Sequence, residues 1–170
     1  FLDYAMEIPS AKPGAQPHQD RLYPMLHLIS HVGLRRGEAC GLHWEETDLA
    51  GSSIMVSHQI TQVGWKAVHS RPKTSRSEGV VRLDKDTAAV IAAWRKTQLA
   101  ERVSWGPAWE NNGLVFTRED GTYYHPAYVT NRFERLAFAA GLPPIRLHDL
   151  RHGAATLALA AGADITAVSA

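Results

Sequence analysis

The sequence predicts an α+β domain that is mainly helical and carries a small three-stranded antiparallel sheet. Several stretches place apolar residues at helical spacing, and three short stretches in the middle of the chain are apolar or β-branched and separated by turn residues. A length of 170 residues with 45% hydrophobic and 21% charged residues suits one domain with a sizeable core. We expect that domain over 21–170, after a linker or N-terminal extension over 1–20, where three prolines disfavour regular structure.

The helix predictions depend on spacing and on residues that begin or end helices. Apolar residues fall close to helical spacing from Arg21 to His31, and Gly33 then breaks the run. Asp84 is a suitable N-cap for a long helix. Pro126 suits a first turn, and Gly141 suits a helix end. The predicted helices span 1–8, 21–31, 36–42, 84–103, 126–140 and 148–161.

The predicted sheet consists of strands over 53–60, 64–69 and 79–83, with a further brief strand over 114–117. The turn before the last strand of the sheet has the basic sequence R-P-K-T-S-R, which contains Lys73. A lysine in such a turn is more often merely solvated, so its interpretation depends on the motifs elsewhere.

Two arginine motifs lie far apart in the chain. His148-Asp149-Leu150-Arg151-His152 places a histidine and an arginine at i and i+3, on one face of a helix, where they can hold one anion between them. Gly33-Leu34-Arg35-Arg36-Gly37-Glu38 supplies further arginines from a distant element. Together the two segments resemble the arginine motifs of the tyrosine recombinases, the phage-integrase family of DNA strand-transfer enzymes, from about Leu22 onward.

The resemblance implies the tyrosine-recombinase catalytic fold and assigns a role to each motif residue. Arg35, His148 and Arg151 would hold the non-bridging oxygens of a phosphodiester, because planar guanidinium groups pair with phosphate and stay protonated. Lys73 would protonate the leaving 5′ oxygen. Glu38 and His152 would support these groups. No metal and no cofactor is implied, since a covalent 3′-phosphotyrosine link conserves the phosphodiester energy.

The expected partner is double-stranded DNA, bound in the family by tetramers on paired sites. A formal net charge of +1 gives no support for this by itself, so DNA contacts would depend on local clusters. The residues that offer such contacts are basic, namely Arg71, Arg76, Arg132, Arg135 and Arg146. A single cysteine and the lack of an apolar run of membrane length favour a cytoplasmic protein.

The family places its nucleophilic tyrosine, and a second His or Trp, downstream of the second arginine motif. We therefore expect the domain to be incomplete at its C-terminus, and this fragment itself to be inactive in strand cleavage. Three tyrosines near the middle of the chain are poor candidates, because all lie upstream of that motif: Tyr123, Tyr124 and Tyr128.

Other interpretations of these residues remain open. Arg35 and Glu38 alone could form a surface ion pair of little energetic value. The nine histidines show no H-E-x-x-H or Cys-paired spacing, so the sequence predicts no metal site. A helix-turn-helix over 126–162 is disfavoured by the long connection with two prolines at 141–147. The main alternative is a non-catalytic DNA-binding remnant of an integrase.

Overall fold

Helix α2 (Tyr23–Val32) forms the centre of the domain. The computed structural model describes residues 1–10, 16–71, 79–151 and 153. Leu26, Leu28 and Ile29 of α2 are almost fully buried, and α1 (Leu2–Met6), α3 (Arg36–Gly41) and α4 (Lys85–Trp105) all contact this helix. Gly33 ends α2 in the left-handed conformation, with φ of 76°, which glycine adopts without steric cost.

The predicted helices are present, and every helix end that lies among the described residues is within two residues of the expected one. Asp84 caps α4 by accepting a hydrogen bond from the Thr87 backbone N–H at 2.8 Å. Helix α5 (Pro126–Ala139) begins at its proline and buries Val129, Phe133 and Leu136 against the core. The last helix begins at 147, one residue before the predicted start. Its predicted continuation over 154–161 lies outside the described residues.

The described residues of the N-terminal segment, 1–10 and 16–20, also contribute to the domain. Ala5 of α1 is fully buried, and the ring of Phe1 meets Phe133 of α5 edge-on at 5.3 Å. Asp20 is buried and accepts a hydrogen bond from the Arg132 Nε at 2.8 Å. Within the described ranges, no helix is long and apolar enough to cross a membrane.

The predicted small antiparallel sheet is confirmed, but its strands differ from those expected. Strand β2 (Ser53–Met55) pairs with β1 (Thr47–Asp48) on one side and β5 (Val80–Arg82) on the other. The remaining strands, β3 (Gln59–Val63) and β4 (Lys66–Ser70), form a separate hairpin with Gly64 in its turn. The predicted strand over 53–60 is therefore wrong: it divides at 56–58, where Ser57 and His58 hydrogen-bond to Glu46.

The segment predicted as a strand over 114–117 bends at 115–116 and makes isolated bridges, from Leu114 to His43 and from Thr117 to Tyr123. The carbonyl groups of Leu114 and Val115 accept hydrogen bonds from side chains of α4 in place of a neighbouring strand. Trp94 Nε1 donates to the Val115 carbonyl at 2.6 Å, and Gln98 Nε2 donates to the same oxygen at 3.0 Å. Side chains from another element thus satisfy the backbone carbonyl groups of a segment for which the local sequence pattern predicts a strand.

Candidate active site

The two arginine motifs meet at one open cleft of about 560 Å³. The start of α3, strand β3, helix α5 and the helix at 147–151 form its walls. Arg35, His148 and Arg151 all line this cleft, although the first lies far from the other two in sequence. Folding therefore brings together the three described residues that the sequence assigned to phosphate binding.

Glu38 fixes the position of Arg35 in the lining of the cleft. Gly33 ends α2, Leu34 is buried, and Arg35 becomes the N-cap of α3 in an extended conformation. Glu38 Oε2 accepts the Arg35 backbone N–H at 2.7 Å, and Glu38 Oε1 accepts Arg35 Nη1 at 2.7 Å. The Glu38 side chain is 6% exposed and that of Arg35 is 46% exposed, so a buried carboxylate orients an accessible guanidinium.

His148 and Arg151 reach the cleft because a helix begins just before them. Asp149 Oδ2 accepts the Arg146 backbone N–H at 2.8 Å, which satisfies one of the free donors at the helix start. The preceding prolines, at 143 and 144, favour an extended entry to this helix. His148 and Arg151 are three residues apart, and both side chains therefore line the same wall.

The cleft is electropositive. Its described lining includes four arginines and one glutamate, namely Arg35, Arg36, Arg146, Arg151 and Glu134. Burial lowers the pKa of the Arg151 guanidinium, and repulsion from Arg35 lowers this pKa further, while Glu38 partly opposes both. Arginine nevertheless stays charged at neutral pH, so two like charges lie close enough to repel each other in the cleft. An anion held between them would relieve that repulsion.

Several polar residues of the cleft were missed in the sequence. Arg36 Nη1 donates to the Thr130 hydroxyl of α5 at 2.6 Å, and Gln59, Thr61 and Gln62 of β3 also line the cleft. The doubled arginine of the first motif is a usable signal for Arg36. Polar residues of a short strand carry no signal that shows which side faces a cleft.

The structure places the predicted DNA-contacting residues in different surroundings. Arg146 is exposed and lines the cleft, Arg71 is exposed next to the end of β4, and Arg135 is exposed on α5. Arg132 pairs with the buried Asp20, so its charge is used within the domain. Lys73, Arg76 and His152 lie outside the described residues.

The three central tyrosines are not among the described residues of the cleft. Burial raises the pKa of the Tyr124 hydroxyl above its ordinary range, against the opposing effect of the neighbouring Arg21. Its ring stacks on Tyr128 with 5.5 Å between centroids, and His69 meets Tyr123 edge-on. A buried hydroxyl that resists ionisation is a poor nucleophile.

The sequence was compared with models of known protein families. The model of the phage integrase family matches residues 4–170, which is almost the whole chain. The chain belongs to the phage integrase family. The described residues of its two arginine motifs, Arg35, His148 and Arg151, line one cleft.

Curated members of the phage integrase family match over most of the chain. A XerC-like tyrosine recombinase of Caldanaerobacter subterraneus subsp. tengcongensis is 27% identical over 96% of this chain and 44% of its own length. The ICEBs1 integrase of Bacillus subtilis is 26% identical over 87% of this chain and 40% of its own length. The chain thus spans less than half the length of these relatives.

Solved structures of integrases and recombinases share the fold. The Tn1549 transposon integrase, solved in complex with transposon right end DNA, superposes with a TM-score of 0.76 at 20% identity. That match covers 99% of this chain and 53% of the integrase chain. XerA recombinase superposes with a TM-score of 0.69 at 21% identity, over 88% of this chain and 47% of XerA. The prediction of a tyrosine-recombinase catalytic-domain fold is confirmed.

Proposed function

We propose that this chain is the phosphate-binding part of a site-specific tyrosine recombinase, which cleaves and rejoins double-stranded DNA through a 3′-phosphotyrosine intermediate. The observation that carries the proposal is the convergence of Arg35, His148 and Arg151 on one electropositive cleft. The similar Tn1549 integrase was solved bound to DNA, and XerH recombinase was solved bound to its difH substrate, which supports duplex DNA as the partner.

The two arginines would act on the transition state of phosphoryl transfer. As a nucleophile attacks phosphorus, negative charge grows on the two non-bridging oxygens. Donors that are already fixed in place stabilise that charge without reorganising. Glu38 fixes Arg35, and the helix at 147–151 fixes Arg151, so each guanidinium can donate to the phosphate. His148 would donate a third hydrogen bond from the same wall.

Lys73 would supply the proton that the departing 5′ oxygen needs, with an ammonium on a flexible stem. Its position in the chain supports this role. Gln59 lines the cleft, and its Nε2 donates to the Arg71 carbonyl at 3.3 Å. Lys73 is the second residue after Arg71, and two residues of chain span at most about 7 Å.

The remaining roles follow from the family resemblance. A tyrosine would attack the phosphorus and displace the 5′ oxygen, and a 5′ hydroxyl of a partner strand would later reverse that step. His152 would support the arginine beside it. The protein would act as a tetramer on paired DNA sites. It would do so in the cytoplasm, where the DNA lies. No cofactor is required.

A cleavage assay with the native full-length protein tests the proposal. Arg35→Ala and Arg151→Ala should each reduce covalent capture of a nicked, site-containing duplex by about 100-fold or more. Removing one preorganised hydrogen-bond donor to the transition state typically lowers the rate by that factor. Arg102→Ala is the matched control, because it removes an exposed arginine of α4, outside the described lining of the cleft. Equal losses in all three variants would contradict the assignment.

A second substrate tests Lys73. A DNA strand with a 5′ thiol leaving group departs without needing a proton, so it should restore most of the cleavage lost in Lys73→Ala and none of that lost in Arg151→Ala. The main alternative, a DNA-binding remnant, predicts binding without any covalent adduct in the unsubstituted full-length protein. Covalent capture therefore separates the two functions.

A further inference from the structure

Two imidazoles and one carboxylate meet beside the cleft, at a place that the proposed recombination chemistry does not use. One ligand atom from each of His43, Glu46 and His58 lies within 4.8 Å of the other two. His43 follows helix α3, Glu46 lies in a 3-10 helix (Trp44–Glu46), and His58 precedes strand β3. None of the three is among the described residues that line the cleft.

The carboxylate is the fixed member of this cluster. The Glu46 side chain is 2% exposed and accepts hydrogen bonds from the His43 backbone N–H at 3.1 Å and from the Ser57 hydroxyl. These bonds, together with the contact to His58, hold a buried carboxylate in place, and its oxygens retain lone pairs for a further partner.

The two imidazoles are the accessible members. Their ring centroids lie 4.6 Å apart at an angle of 54°, and their side chains are 21% and 33% exposed. His58 Nδ1 lies 2.7 Å from Glu46 Oε1, and His43 Nδ1 lies 2.8 Å from the Gly41 carbonyl oxygen. Each ring is therefore oriented by one nitrogen while an ion can enter from solvent. Metal-binding histidines are commonly oriented by a hydrogen bond to a group outside the ligand set, as His43 is by the Gly41 carbonyl.

We propose that His43, Glu46 and His58 form a binding site for a zinc-class divalent cation, with water as the fourth ligand. Bonds of about 2.0–2.2 Å at tetrahedral angles place ligand atoms about 3.3 Å apart. The observed separations exceed this by no more than about 1.5 Å, a difference that rotation of the partly exposed histidine side chains can close. Two nitrogen ligands select zinc over magnesium or calcium, which prefer oxygen.

The bound ion would join the end of α3 to the start of β3. Both elements line the cleft through other residues, Arg35 at the start of α3 and Gln59 at the start of β3. The ion therefore stabilises the wall that holds the phosphate-binding groups, and it takes no part in strand transfer. This inference does not depend on the proposed function, because it concerns binding and stability alone.

Calorimetric titration of the metal-free protein with ZnCl2 tests the site. We expect saturable binding of one zinc ion, no binding of MgCl2 under the same conditions, and a thermal unfolding midpoint that rises with zinc concentration. His43→Ala and His58→Ala should each weaken zinc binding at least 10-fold. His31→Ala is the matched control, because His31 is also accessible, stacks on a second histidine and bonds to a backbone carbonyl.

Two further variants separate metal binding from hydrogen bonding to Glu46. His58→Cys removes the ring but supplies a zinc ligand, so it should retain zinc binding and the zinc-dependent rise in unfolding midpoint. His58→Asn keeps an N–H donor for Glu46 but offers a poor ligand, so it should fold and lose zinc binding. Zinc binding that survives His58→Asn, disappears in His31→Ala, or is missing in the unsubstituted protein would overturn the proposal.

Discussion

At the scale of single residues, Glu38 has two tasks, because it begins helix α3 and orients the guanidinium of Arg35. Glu38→Gln removes the charge and one of the two acceptors. We expect the free energy of unfolding to fall by about 1 to 3 kcal/mol, the usual value of lost bonds to a charged group. Urea unfolding measures the loss, and Glu45→Gln, an exposed neighbour in sequence, is the control.

The same substitution also removes the negative charge of Glu38, which acts on both Arg35 and Arg151. Their repulsion then acts on the folded state alone and is screened by salt. The decrease in the free energy of unfolding caused by Glu38→Gln should therefore be larger at 20 mM than at 500 mM sodium chloride. A loss that did not change with salt would mean that Glu38 acts only as a helix cap.

His27 provides a pH-dependent contribution to stability. Burial lowers the pKa of this imidazole below its ordinary value of 6.5, and the stacked His31 lowers it further, while Asp84 and Asp86 partly oppose this. Because the unfolded chain takes up the proton more readily, stability is highest above pH 6.5 and falls as the pH decreases toward the lower folded pKa. Urea midpoints between pH 7.5 and 5.5 should fall less in His27→Gln than in the exposed control His18→Gln.

At the scale of elements, the contact of α3 with β3 requires glycine at Gly41. A Cβ atom there would lie 2.6 Å from the Gln59 Cα, inside the backbone of the neighbouring strand. We expect Gly41→Ala to destabilise the domain by about 1 to 3 kcal/mol, the usual cost of overpacking. Gly79→Ala is the control, since its Cβ would meet no described atom within 4 Å. Thermal unfolding should show a clear shift for the first and little for the second.

The helices were predictable because their signals are local. Asp84 caps α4 through the next turn, and Gly33 ends α2 by its own backbone conformation. The strands were predicted less well, because Ser57 and His58 bend the chain by bonding to Glu46 in another segment. No local pattern of 53–60 encodes that interaction.

The candidate site divides in the same way. Arg35, His148 and Arg151 belong to recognisable motifs, so they could be predicted from the sequence. The fold brings them together in one cleft. The cluster of His43, Glu46 and His58 was not predicted, because its members follow no zinc-binding spacing. They meet only through the bend of the chain at 56–58. Spacing predicts a site well when one helix carries it, and poorly when three segments contribute one ligand each.

At the scale of the whole molecule, charge is distributed unevenly, and this should determine how the protein binds DNA. The formal net charge is only +1, yet four arginines line one cleft. Binding to phosphates releases counterions, so affinity should fall steeply with salt, with a log–log slope of about −0.9 per phosphate contacted. Fluorescence anisotropy with a duplex of arbitrary sequence, at 50 to 200 mM salt, measures that slope.

Two arginines with opposite surroundings make the salt test specific. Arg146 is exposed at the cleft, so Arg146→Ala should weaken DNA binding and make the slope less steep by about 1. Arg132 pairs with buried Asp20, so Arg132→Ala should lower the unfolding midpoint and leave the slope unchanged at temperatures where the variant is folded. If Arg132→Ala reduced the slope as much as Arg146→Ala did, the DNA would have to lie across α5. The cleft would then be only one part of the contact surface.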